Sequence, residues 1–247
     1  MVKFTETHHA FISARYYARL KESGRENFED IFLFAVRHYG AQRGGRMAQR
    51  ALRDGRPLNF AAYRYYSEWA FTEEYLSTAT AFSRDTERDE NYSFEVRDCP
   101  WNRVYQEQGL PDGALAYCRD LDCSIVRGFN PELRYAVERF PGTDPLCRQT
   151  QFHAELDQDA GYPERDPDNR KDFTYHCGHV FTVFRTTLRN CLGTAGDRIT
   201  DGVLVDFAAC FGDEAKEALL AAAATDFSLL ERGAFASLYN SRDPLYN

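Results

Sequence analysis

The sequence predicts an α+β protein, mostly helical, with a small antiparallel sheet and an inserted helix enclosing a pocket. Three observations carry this. Apolar residues recur at helical 3,4 spacing near the N-terminus (Phe28, Ile31, Phe32, Ala35, Val36). Alternating stretches at 93–97, 133–140 and 146–156 read as strands, the last two joined by the turn-rich Pro141-Gly142-Thr143-Asp144-Pro145. Long runs poor in helix breakers return after residue 173. There is no regular strand–helix alternation of the doubly wound kind. One domain over 1–247 is expected: helical over 1–80, sheet plus helix over 93–156, helical over 173–224.

In chain order, His8 to Leu20 is helical and Gly24 closes it. The next helix starts near Phe28 and ends at Gly55, with Pro57 as a stop signal. Gly44 and Gly45 lie inside it and weaken it by roughly 1 kcal/mol each against Ala, so they mark a close packing contact or a kink. A third helix is expected from about Asn59 to Tyr75, then a solvated loop over 83–92 and a half-buried strand at Ser93–Arg97. Pro100 precedes a short helix from Trp101 to Gln106, ending near Gly109. Asp112 is the expected N-cap of the inserted helix, which runs to about Arg127 and is bracketed by Gly128 and Pro131. After the strands, 157–172 reads as a charged surface loop, followed by helices near 173–191, 196–211 and 213–224.

At 43% hydrophobic and 15% aromatic, 247 residues suffice for a proper core. A net charge of −8 argues against a general phosphate-backbone binder, so nucleic acid is not an expected partner. No run approaches the 18 apolar residues of a membrane span, and residues 1–17 lack the apolar core of a secretory signal. Seven scattered cysteines without a tight framework suit reduced thiols in a cytoplasmic protein. The expected partner is a small-molecule substrate; nothing in the sequence sets an oligomeric state.

The densest chemistry lies in residues 99–153, read as one wall of the pocket. Cys118 and Asp122 are four apart on the inserted helix and share a face. A thiol there becomes a nucleophile only with an imidazole or cation beside it; otherwise it is an inert buried cysteine. Cys123, turned about 100° away on the helix, is the rival thiol. Arg43, Arg46, Arg50 and Arg53 form one helical stripe whose like charges need compensation. The stripe is either a solvated, salt-bridged face or, at Arg43 and Arg46 beside the glycine pair, an inward clamp for a carboxylate. His176 and His179, one turn apart, are either structural or a base and its orienter, or half of a divalent metal site. His8, His9 and His153 can join only in three dimensions. Cys99 and Cys147 lack a CxxC partner, and phosphate-loop, dinucleotide and serine-hydrolase motifs are absent.

The order Cys99-Pro100-Trp101, Gly109, Tyr117-Cys118, Asp122, Gly128-Phe129-Asn130-Pro131 and Asp144 to Cys147 resembles the L-2-amino-thiazoline-4-carboxylic acid hydrolase family. His8-His9-Ala10, Gln42-Arg43-Gly44 with Arg46, and Tyr175-His176 to His179 extend the likeness over most of the chain. The resemblance implies a hydrolase opening a small C–N or C–S ring, in the name-giving case yielding N-carbamoyl-cysteine. Its site would combine Cys118 or an activated water as nucleophile, with Asp122, His176 or His179 for proton transfer. Arg43 and Arg46 would hold a carboxylate, with Asn130 also at the substrate. The middle segment is more distantly similar to vinyl-reductase-type ligand-binding domains, which implies a rival role, binding a small molecule or metal without turnover.

Overall fold

A computed structural model describes residues 2–73, 75, 91–97, 99–140, 146–154 and 165–227. Eight helices and three strands are described in it: α1 (Glu6–Glu22), α2 (Phe28–Arg53), α3 (Phe60–Tyr65), β1 (Tyr92–Arg97), α4 (Pro100–Glu107), α5 (Pro111–Phe129), β2 (Tyr135–Phe140), β3 (Leu146–Gln151), α6 (Phe173–Leu192), α7 (Thr194–Phe211) and α8 (Asp213–Ala222). The protein is mostly helical with one small sheet, the expected α+β class. No helix among the described residues is long and apolar enough to cross a membrane.

The three strands are antiparallel in the order β1-β3-β2. Val96 faces Cys147 across one ladder and Tyr135 faces Gln151 across the other. The period-2 alternation therefore places Tyr135, Gln149, Cys147 and Val96 on one face. Tyr135 lies with Tyr63 and Tyr92 against a small cluster of Phe60, Val126 and Ala154. The turn expected at 141–145 lies outside the described residues, as does most of the 83–92 loop.

Helix boundaries follow local chemistry. Gly24 (φ +67°) and Gly55 (φ +66°) adopt the left-handed conformation beyond α1 and α2. Asp172 caps α6, its side chain accepting from the Tyr175 amide at 3.0 Å. Asp112 is not a cap: Leu110 holds that position, Pro111 opens α5, and Asp112 sits in the first turn, where an acidic charge suits the helix dipole. The third helix stops at Tyr65 rather than near Tyr75. Beyond it the chain runs extended beside Lys171, which donates its amide to the Glu68 carbonyl (2.8 Å) and accepts from the Ala70 amide (3.2 Å). This pairing outcompetes another helical turn.

Glycine sets the distance between α2 and α5. A Cβ on Gly44 would run into the Ile125 carbonyl oxygen and the Phe129 amide nitrogen, and one on Gly40 would lie 2.7 Å from the Ser124 Cβ. Gly128 does the same from α5, meeting the Ala41 backbone. The expected close contact thus belongs to Gly44; a Cβ on Gly45 would meet nothing within 4 Å.

The pair gives a test with opposite signs. Gly45→Ala should raise stability by about 0.5–1 kcal/mol through helix propensity. Gly44→Ala should lower it by about 1–3 kcal/mol despite the same propensity gain, because backbone must move. Urea unfolding midpoints of both variants check this; equal shifts would remove the close-contact account.

Candidate active site

The close approach of α2 and α5 buries the arginine stripe. Arg43, Arg46 and Arg50 turn inward, while Arg53 pairs with Asp54 at the surface (2.7 Å). The inward three converge on Glu68, which is itself inaccessible. Arg46 grips it with two bonds, Nε to Oε1 at 3.0 Å and Nη2 to Oε2 at 2.8 Å. Arg50 Nη1 donates to Oε1 at 2.8 Å, and Arg43 Nε stands 3.6 Å from Oε2. Burial alone would raise the Glu68 carboxyl, but the three guanidiniums hold it down at about 2. Three buried cations around one carboxylate leave this interior rich in positive charge.

Both helix-α6 histidines join this cluster. His179 Nδ1 lies 3.4 Å from Arg46 Nη2 and its Nε2 lies 2.8 Å from Gln42 Oε1. Arginine only donates, so Nδ1 is the acceptor and Nε2–H donates to Gln42. His176 Nε2 lies 3.2 Å from the Glu68 carbonyl oxygen and must donate to it. His9 adds a third imidazole: Trp101 Nε1 donates to its Nδ1 (3.0 Å), and its Nε2 meets the Tyr39 hydroxyl (3.0 Å). Burial and then nearby arginines, or for His9 first His176, push all three well below the usual histidine range. They are neutral at physiological pH. No three metal-ligating side chains come together among the described residues.

Cys118 and Asp122 occupy the middle of the buried stripe of α5, flanked by Ala114, Leu121, Ile125 and Phe129. Both are only partly buried. Burial pushes the Asp122 carboxyl up to about 6, and Arg43 is the cation that restrains the rise. After burial itself, Asp122 is the first charge raising the hydroxyls of Tyr63 and Tyr135, which places it between α3 and the sheet. Cys118 is instead a neighbour of Tyr105 and Tyr117. The rival Cys123 donates to the Tyr135 carbonyl (3.6 Å), and burial next to Asp122 pushes its thiol up to about 11. Asn130 is spent on structure: its Nδ2 donates to the Leu58 carbonyl (2.8 Å) and its Oδ1 accepts from the Glu132 amide (3.0 Å).

The structure thus brings Arg43, Arg46, His176 and His179 together, sets Asp122 within the field of Arg43, and puts Cys118 beside Tyr105 and Tyr117. Four participants were not foreseen as a site: Glu68, Trp69, Tyr39 and Tyr117. Glu68 had a signal, the demand of a like-charged stripe for a carboxylate. Trp69 stacks on Arg43, whose guanidinium carbon is 3.7 Å from its ring centre, and touches His176 at 4.4 Å between rings. His8 lies elsewhere, between Phe4 and Phe211, and His153 stands past the end of β3.

Glu68→Gln should cost about 3–5 kcal/mol at pH 7, since it strands buried guanidiniums. The Glu68 carboxyl falls from its ordinary 4.5 to about 2 on folding. Its contribution is therefore complete above pH 4.5 and is lost as pH falls towards 2. Acid unfolding of wild type and variant should converge across that window.

A family model described as L-2-amino-thiazoline-4-carboxylic acid hydrolase matches residues 5–140. No curated protein and no solved structure matches the chain. The matched span holds α1 to β2, and so contains Arg43, Arg46, Glu68, Cys118 and Asp122. This protein belongs to the L-2-amino-thiazoline-4-carboxylic acid hydrolase family.

Proposed function

We propose that the protein hydrolyses a small cyclic carbon–nitrogen substrate carrying a carboxylate, with Asp122 as the proton-transfer group and Arg43 as the carboxylate anchor. The observation that carries this reading is the Asp122 carboxyl raised to about 6 beside an arginine whose Nε and Nη1 have no hydrogen-bond partner. A carboxyl tuned near neutrality suits a general base, and an unspent buried guanidinium suits a carboxylate ligand. Arg46 is less suited to that role, because Glu68, the Phe227 carbonyl and His179 already occupy it.

For an aminothiazoline carboxylate the step balances with one water. Ionised Asp122 takes a proton from the water as its oxygen bonds to the amidine carbon. The C=N electron pair moves to the ring nitrogen, which takes that proton from Asp122; the tetrahedral centre then collapses to the urea carbonyl, the ring C–S bond breaks, and the hydroxyl proton passes to the departing sulfur. The product carries a urea and a free thiol, and each turnover releases one thiol. Water is the proposed nucleophile because Asp122 is the carboxyl raised to about 6, where its ionised form can take a proton from water near neutrality.

Thiol release from 2-aminothiazoline-4-carboxylate tests the reading directly; no release by folded protein would overturn it for this substrate. The apparent kcat/KM should rise as pH increases through about 6. Asp122→Asn should lower it by roughly 10²–10⁴-fold. Cys118→Ser should keep most turnover; a loss as large as that of Asp122→Asn would make the thiol the nucleophile.

The same variant has a stability signature. The Asp122 carboxyl is raised on folding from 3.8, so its ionised form opposes folding above pH 6 and the penalty fades as pH falls below that. Asp122→Asn should therefore stabilise the protein at pH 7 by about 1–2 kcal/mol and have little effect near pH 4. Denaturant unfolding at the two pH values checks this.

A further inference from the structure

The anchor proposed above is closed off. Arg43 is 1% exposed, and its Nε and Nη1 make no hydrogen bond. A carboxylate accepting from those donors must come within about 3 Å of them, so a side chain set against the guanidinium has to give way first. Among the described residues, three charged or aromatic side chains stand there. Glu68 Oε2 is 3.6 Å from Arg43 Nε, and the ring centres of Tyr39 and Trp69 are 5.6 and 3.7 Å from the guanidinium carbon. Glu68 and Tyr39 are inaccessible, whereas Trp69 is partly exposed. Of the three, only the indole reaches the surface.

The three are also held differently. The Glu68 carboxylate accepts from Arg46 and Arg50, and the Tyr39 hydroxyl meets His9 Nε2 at 3.0 Å. Trp101, the other tryptophan of the chain, is pinned through its Nε1 to His9 Nδ1 at 3.0 Å. The Trp69 N–H has no hydrogen bond among the described residues. Its ring rests against His176 (4.4 Å), Phe173 (5.4 Å) and Phe71 (5.8 Å), contacts that require no particular partner atom. The backbone around it is fixed. Lys171 bonds the Glu68 carbonyl and the Ala70 amide, and Thr72 gives its N–H (2.7 Å) and hydroxyl (2.8 Å) to the buried Glu6 carboxylate. Movement is thereby confined to the side chain, as a change of rotamer on a stationary segment.

We propose that Trp69 is a swinging cover on Arg43, its indole lying over the guanidinium in this structure and turning aside to admit a carboxylate. The cation exchanges one favourable contact for another, the face of the ring for a charge-assisted hydrogen bond. Glu68 stays where it is, because both its carbonyl and its carboxylate are tied. The inference rests on Arg43 as the anchor and adds a residue that sets how readily the anchor is reached.

Phenylglyoxal, which adds to accessible guanidiniums, tests the cover without any substrate, since labelling of an enclosed group reports how often it opens. Labelling at Arg43, read by peptide mass spectrometry, should be slow in wild type and faster by roughly tenfold or more in Trp69→Ala. Arg46, 2% exposed and bonded to Glu68, should stay slow in both. Equal Arg43 rates would overturn the proposal. An equal rise at Arg46 would do the same, because the indole would then be supporting the interior instead of covering one group. A second measurement keeps every residue position intact. With both tryptophans fluorinated, 2-aminothiazoline-4-carboxylate should shift the Trp69 fluorine resonance and leave that of Trp101 in place. Thiol release with an unmoved Trp69 resonance would sink the cover alone. Faster Arg43 labelling in Trp69→Ala without thiol release would uphold the cover and sink the hydrolase reading for this substrate.

Discussion

The Glu68 carboxylate, enclosed by the guanidiniums of Arg43, Arg46 and Arg50, is the interaction on which the rest of the interior depends. It links the long helix α2 to the extended segment after α3, and the Glu68 carbonyl ties that segment to α6 through His176 and Lys171. Burying one carboxylate and three cations is expensive in desolvation, and charges of this kind persist inside proteins only when well paired. Arg46 and Arg50 are well paired; Arg43 stands farther off and keeps unspent donors. That inequality is the observation behind the anchoring role proposed for Arg43.

The glycines of α2 give the cluster its position. Gly40 and Gly44 let α5 approach until backbone meets backbone, and Arg43 shares their side of the helix. A larger residue would hold α5 away and separate Arg43 from Asp122. Packing geometry and electrostatics are therefore one arrangement: the same contact that secures two helices puts the Arg43 cation within the field of the Asp122 carboxyl.

Two desolvated carboxyls, Glu68 inaccessible and Asp122 partly buried, titrate in opposite directions. Burial would raise both, but three paired guanidiniums hold Glu68 at about 2, whereas Asp122 feels Arg43 at longer range and rises to about 6. The first is a permanent counter-charge and the second a group able to exchange protons near neutrality. Carboxyls pushed apart by their surroundings are a recurring mark of divided roles in catalytic sites. The neutral imidazoles of His9, His176 and His179 fit the same scheme. Ringed by arginines, they direct hydrogen bonds instead of carrying charge.

Patterns with short periods were legible without the structure. Helical spacing and strand alternation located the long helices and the small sheet, because side-chain period follows directly from local backbone geometry. The motif order through Cys118, Asp122 and the Gly128 to Pro131 corner pointed to the family, whose model matches residues 5–140. The stripe of four arginines called for compensation, and all four find it, three at Glu68 and Arg53 at Asp54. What the linear pattern did not carry was the partner: Glu68 sits in an aromatic run that reads as helix, and only pairing with Lys171 draws it out into the core. Nor could spacing show that the Asn130 side chain bonds the Leu58 carbonyl, or that His176 meets the Glu68 carbonyl. The sequence by itself determined the elements and their apolar faces; the tertiary structure decided which charge meets which, because desolvation and pairing depend on distances between segments far apart in the chain.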